Sequence, residues 1–146
     1  MEKEAAEYSR LVRMFATPPA LPLSEGEMNA LKKADMFTVR FEGWDLPCYG
    51  WGEGRTVLLC HGWGSRAGHL TLLARALAQA GFRAIAFDAP AHHSLPVAKK
   101  KEYSNMFEFG RAIAQVVRSL GGVYGELPWG ARLFALPVRH FHVFTA

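Results

Sequence analysis

Cysteine is nearly absent: Cys48 and Cys60 are the only two in 146 residues. One bridge at most cannot staple a domain this size, so the pair reads as reduced thiols of a cytoplasmic protein. Long apolar runs are missing too, and nothing approaches the ~18 residues that span a bilayer. The opening Met1-Glu2-Lys3-Glu4 is charged, with no apolar segment behind it, which argues against a secretory leader. Charge is modest, 17 Lys+Arg against 13 Asp+Glu for a net +4. Its only basic run, Lys99-Lys100-Lys101, reads as a solvated loop, so no nucleic-acid partner and no membrane partner is expected. No repeat recurs at a solenoid period. What remains is 50% apolar and 21% charged, the balance of one ordinary globular domain with a real core.

The chain divides into three stretches. Residues 1–35 hold a helix and a linker. Ala5, Tyr8, Leu11, Val12 and Phe15 recur at helical spacing, Thr17-Pro18-Pro19 stops the helix, and Ser24 with Glu27 forms a capping-box pair for a second one. Residues 36–125 carry the main pattern. Phe37, Val39 and Phe41 alternate with polar residues, Gly43 turns the chain, and Leu46 to Trp51 returns, which predicts an antiparallel hairpin. Val57-Leu58-Leu59-Cys60 is apolar without alternation, as in a strand covered on both faces. A glycine-rich turn, His61-Gly62-Trp63-Gly64-Ser65, leads into a helix with Leu70, Leu73 and Leu77 on its core face and Gly81 as its stop. Ala84-Ile85-Ala86-Phe87 predicts a second covered strand ending at Asp88. A helix with Phe107, Phe109, Ile113, Val116, Val117 and Leu120 follows, and Val123-Tyr124 opens a third parallel strand. Hairpin, then β-α-β-α-β, is an α/β architecture. Residues 126–146 show neither period and receive no assignment.

A glycine turn between a buried strand and a helix aims backbone N–H groups at an anion, or at an oxyanion that develops during reaction. Here the turn is His61-Gly62-Trp63-Gly64-Ser65, and the next strand ends in Asp88-Ala89-Pro90-Ala91-His92-His93-Ser94. Together, over Met36 to Gly125, these resemble the N-terminal half of the α/β-hydrolase superfamily. The resemblance implies a partial hydrolase sheet and an ancestral serine hydrolase of ester, thioester or amide bonds. It implies that Trp63 N–H, with Gly62 beside it, is an oxyanion-hole donor. His61 and Gly64 would shape the turn, Asp88 would hold the following loop by accepting hydrogen bonds, and His92 and Ser94 complete that loop's motif. A small acyl substrate is implied, with no cofactor and no metal. His93 stands where the family loop usually has glycine; if that position needs a positive φ, a histidine there is strained, although histidine tolerates it better than most residues.

The family's Gly-x-Ser-x-Gly elbow is missing. Where it belongs the chain reads Gly125-Glu126-Leu127-Pro128-Trp129-Gly130, and no serine follows Ser119. The codons for that segment permit Gly-Asn-Ser-Leu-Gly-Gly one base later and Gly-Ala-Ser-Met-Gly-Gly two bases later. An out-of-frame tail from about Glu126 is therefore expected, with an inactive chain that self-associates through an open sheet edge.

Plainer readings stand beside these. Ser65 is expected to cap the helix that follows it, and Ser94 to bond within its loop. His61, His69, His92 and His93 match no zinc spacing, and His140 and His142 earn no role. Two other functions stay open. One is a non-enzymatic truncated product or small-ligand binding module. The other is a Rossmann-like NAD(P) site on Gly62, Gly64 and Gly68, with Asp88 on the ribose. Against the second, the glycine spacing has one residue too many and Trp63 would crowd a pyrophosphate.

Overall fold

The computed structural model describes residues 2–97, 99–121 and 142–145. Helix α1 (Glu2–Ala16) ends at the Thr17-Pro18-Pro19 stop, and α2 (Glu25–Lys32) follows the linker. The capping box at α2 is complete: Ser24 Oγ accepts from Glu27 N, while a Glu27 carboxylate oxygen accepts from Ser24 N at 2.7 Å. Strands β1 (Asp35–Phe41) and β2 (Trp44–Trp51) form the hairpin. Glu42 and Gly43 make its two-residue turn with φ of 46° and 82°, the positive pair that a tightly twisted hairpin needs. Then come β3 (Arg55–Cys60), a 3-10 turn at Ala67–Leu70, α3 (Thr71–Gln79), β4 (Phe82–Phe87) and α4 (Met106–Ser119).

The sheet order is β1-β2-β4-β3-β5, with β5 formed by His142–Thr145. β2 lies antiparallel to β1 and to β4, whereas β3 lies parallel to β4 and to β5. The expected strand at Val123-Tyr124 lies outside the described residues, as does most of the 126–146 tail. That tail supplies a strand all the same. His142–Thr145 takes the parallel position beside β3, where no period in the sequence marked one.

Alternation along β3 explains its apolar run. Leu58 and Cys60 join Phe41, Leu46, Phe87, Phe109 and Val116 on the face covered by α4. Val57 and Leu59 join Leu31, Tyr49, Leu70 and Ala74 on the face covered by α2 and α3. Both faces are dry, so neither can hold polar residues. Cys48 and Cys60 are free and buried in the first of these cores, and burial pushes both thiols up to about 12. Gly81, at φ 82°, ends α3. One face was misplaced in the sequence: α3 buries Ala74 and half-buries Leu77, Leu70 is buried in the 3-10 turn before it, and Leu73 turns into water beside Leu72. An alanine at the central contact lets α3 approach the sheet closely, and Leu73 falls to the flank. Tyr8, Leu11, Val12 and Phe15 of α1 are likewise exposed, so its apolar stripe is not core. Among the described residues no helix is long and apolar enough to cross a membrane.

Candidate functional site

Because β3 and β4 are parallel neighbours, the loops that leave their carboxyl ends lie side by side. The first is the turn at 61–65 and the second runs from Asp88 to Ser94. Two histidines tie them together in both directions. His61, on the first, accepts the Ala89 N–H through Nε2 at 3.1 Å. His92, on the second, accepts the Gly64 N–H through Nε2, also at 3.1 Å. Each ring's Nδ1 faces a carbonyl at 2.8 Å, Gly62 O for His61 and Pro90 O for His92. A carbonyl only accepts, so both rings carry the proton on Nδ1 and are neutral. Burial pushes His61 down to about 4 and lowers His92, which agrees with that tautomer. The rings lie 5.0 Å apart, and Phe109 meets both edge-on at 5.3 and 5.6 Å. With both Nε2 atoms accepting amide protons, neither histidine is placed to move a proton.

Asp88 is fully buried at the end of β4. Its Oδ1 accepts from Ala67 N at 2.9 Å and Ser94 Oγ at 2.7 Å; its Oδ2 accepts from Ser94 N at 2.7 Å and the Tyr49 hydroxyl at 3.3 Å. Burial pushes the carboxyl up to about 6 against the pull of these donors. Ser94 is spent as well, since its Oγ also accepts from Gly68 N at 3.0 Å. Tyr49 gave no signal in the sequence, because it reaches Asp88 only through the pairing of β2 with β4.

Two expectations need correcting. The 3-10 turn begins after Arg66 with no side-chain cap, so Ser65 is not a cap. Its Oγ lies 3.0 Å from His69 Nδ1 instead, one helical turn on. His93 carries no positive φ; Ala91 does, at 68°, so the left-handed step falls two residues earlier. Gly64 needs its own glycine twice over: its φ is 77°, and a Cβ there would meet Pro19 Cγ at 2.8 Å.

The turn's amides are not equivalent. Gly64 N–H goes to His92 and Ser65 N–H to Gly62 O. Among the described residues the Trp63 N–H has no partner. Trp63 is partly exposed, its ring edge-on to His92 at 5.0 Å. The turn therefore presents the Trp63 N–H unspent beside its own indole ring, and the Gly62 N–H likewise has no partner among the described residues.

Solved structures resemble this chain in fold. An epoxide hydrolase from Vigna radiata matches with a TM-score of 0.52 and 23% identity, over 62% of this chain and 30% of that one. The thioesterase domain from the curacin biosynthetic pathway matches with a TM-score of 0.50 and 22% identity, over 59% and 33%. An epoxide hydrolase from an endophytic Streptomyces matches with 0.50 and 27%, over 62% and 28%. The described residues form a partial α/β-hydrolase fold. This chain spans about a third or less of the length of the hydrolase neighbours it matches. No family model and no curated protein matches the sequence.

Within the hydrolase fold the dinucleotide reading fails on Asp88, whose oxygens all face protein donors inside the core and cannot reach a ribose. Gly68 sits against Leu23, 2.5 Å from where a Cβ would stand, so no pyrophosphate lies over it. Among the described residues no three of His, Cys, Asp and Glu converge to hold a metal ion.

Proposed function

We propose that these residues form the oxyanion-binding part of a serine-type acyl hydrolase site, for an ester, thioester or amide. The unpartnered Trp63 N–H carries this reading. Oxyanion stabilisation needs a donor held still and left unspent in the ground state. The two histidines and Asp88 hold the turn, and Gly64 and Ser65 consume the neighbouring amides. Trp63 would line the acyl pocket with its ring. The thioesterase neighbour performs chemistry of this class.

The chain brings no elbow serine, since Ser119 is its last. A binding role without turnover is therefore the expected behaviour of these 146 residues alone, with self-association through an open sheet edge. Butyrate, a carboxylate product analogue, should shift the Trp63 amide resonance saturably and leave Gly64 nearly still. p-Nitrophenyl acetate should show no saturable turnover above the background of surface lysines and histidines. An unmoved Trp63 amide would overturn the reading. Turnover blocked by a serine-directed phosphonate and lost in Ser65→Ala would make Ser65, with His69, the nucleophile instead.

A further inference from the structure

The two histidines of the site are built alike, and each serves as an acceptor. His61 Nε2 takes the Ala89 N–H and His92 Nε2 takes the Gly64 N–H, both at 3.1 Å, so each ring ties its own loop to the other. Each Nδ1 is committed to a carbonyl at 2.8 Å and holds the ring's single proton. A second proton can enter only at Nε2. There it would point at an amide N–H, donor against donor, and the tie would have to part.

The surroundings keep both rings neutral while the loops are joined. The rings are buried, lie 5.0 Å apart and pack against Phe109; Phe87 also meets His61, and Trp63 meets His92. The titratable and charged groups around them oppose a positive ring: His92, His69 and Arg66 for His61, and Arg66 and His93 for His92. Asp88 stands at the same end of β4, and its oxygens are taken up by Ala67, Ser94 and Tyr49. It makes a second join, from Ala67 to Ser94, and answers acid in the opposite sense. Its carboxyl is pushed up to about 6, so its protonation favours the buried, joined state. His61 is pushed down to about 4 from 6.5, so its tie is intact above 6.5 and lost as pH falls towards 4. Once one tie parts, water reaches the second ring and its ordinary basicity returns, so the two protons enter in one step.

We infer that His61 and His92 form an acid-released clasp: when both rings take a proton at Nε2, the Gly64 and Ala89 amides are let go and the turn parts from the second loop, while the Asp88 join and the sheet stay closed. The clasp stands whether or not the Trp63 N–H meets an oxyanion; if it does, acid loosens the turn that positions that donor.

Amide exchange of the intact chain from pH 6.5 to 4.5, corrected for the intrinsic rate at each pH, tests this. One titrating ring raises an opening equilibrium by at most about tenfold per pH unit, and two in one step by up to about a hundredfold. Opening at Gly64 and Ala89 should rise together by more than about tenfold per unit between pH 6 and 5, with Ala67, Ser94 and the β3 and β4 amides keeping their protection. His92→Gln keeps an acceptor oxygen for Gly64 but cannot take a proton, and should cut the slope at both amides to about tenfold or less. His61→Gln should do the same from the other loop. Should neither variant fold, the slope in the parent chain decides. A parent slope of about tenfold per unit or less, an unchanged slope in a folded variant, or an equal rise at Ala67 and Ser94 would overturn the clasp.

Discussion

Asp88→Asn should lose about 3 kcal/mol of stability, although the side chains have the same shape. The carboxylate takes one backbone N–H on each oxygen, Ala67 on Oδ1 and Ser94 on Oδ2. An amide has a single oxygen. Whichever way it sits, its NH2 faces a backbone donor that cannot rotate away. The Ser94 and Tyr49 hydroxyls can turn, but one backbone amide is stranded in the core. Urea unfolding measures this, with a midpoint about 1–2 M lower; a change below about 0.5 kcal/mol would contradict the network. The acid side carries a second signature. Asp88 is raised from 3.8 to about 6, so it contributes stability at low pH that is lost as pH rises through 6. His61 is lowered from 6.5 to about 4, so its contribution is present above 6.5 and lost as pH falls towards 4. In the parent chain the two oppose each other on acidification. Asp88→Asn leaves the histidine loss unopposed, and its stability should fall more steeply between those values.

Phe109→Ala is the other large effect, about 3–5 kcal/mol, the usual cost of emptying a buried phenylalanine site. Phe109 is 5% exposed and, among the described residues, is the one ring that meets both His61 and His92 edge-on. Its loss opens the floor under the histidine pair as well as the core below α4. Water reaching His61 should move that ring's pKa up from about 4 towards its ordinary 6.5. A proton titration of the His61 ring checks this separately from stability. A full loss of stability with His61 unmoved would mean that Phe109 only packs and does not keep the ring dry.

Much of this architecture was written in local patterns. The apolar run of β3, the Ser24 and Glu27 pair, the Gly43 hairpin and the Gly81 stop each rest on neighbours within a few residues. The two loops of the site were legible as segments, because glycine, proline and aspartate punctuate strand ends. Their joining was not. His92 reaches Gly64 across 28 positions and Tyr49 reaches Asp88 across 39, and only the strand order brings them together. Ser65 looked like a cap because it follows a glycine turn, but the helix starts later, through a 3-10 turn. β5 was hidden for a different reason. Four residues beside an already covered strand need only backbone pairing, so no period announces them.

Amide hydrogen exchange at the turn addresses the central claim, that rigid neighbours hold the Trp63 N–H unspent. The account predicts slow exchange for Gly64, Ala67, Ala89 and Ser94, whose protons go to His92, Asp88, His61 and Asp88. Trp63, in the midst of them, should exchange about a hundredfold faster, at close to its unprotected rate. Protection of Trp63 equal to that of Gly64 would mean its proton is already taken, and would contradict the account.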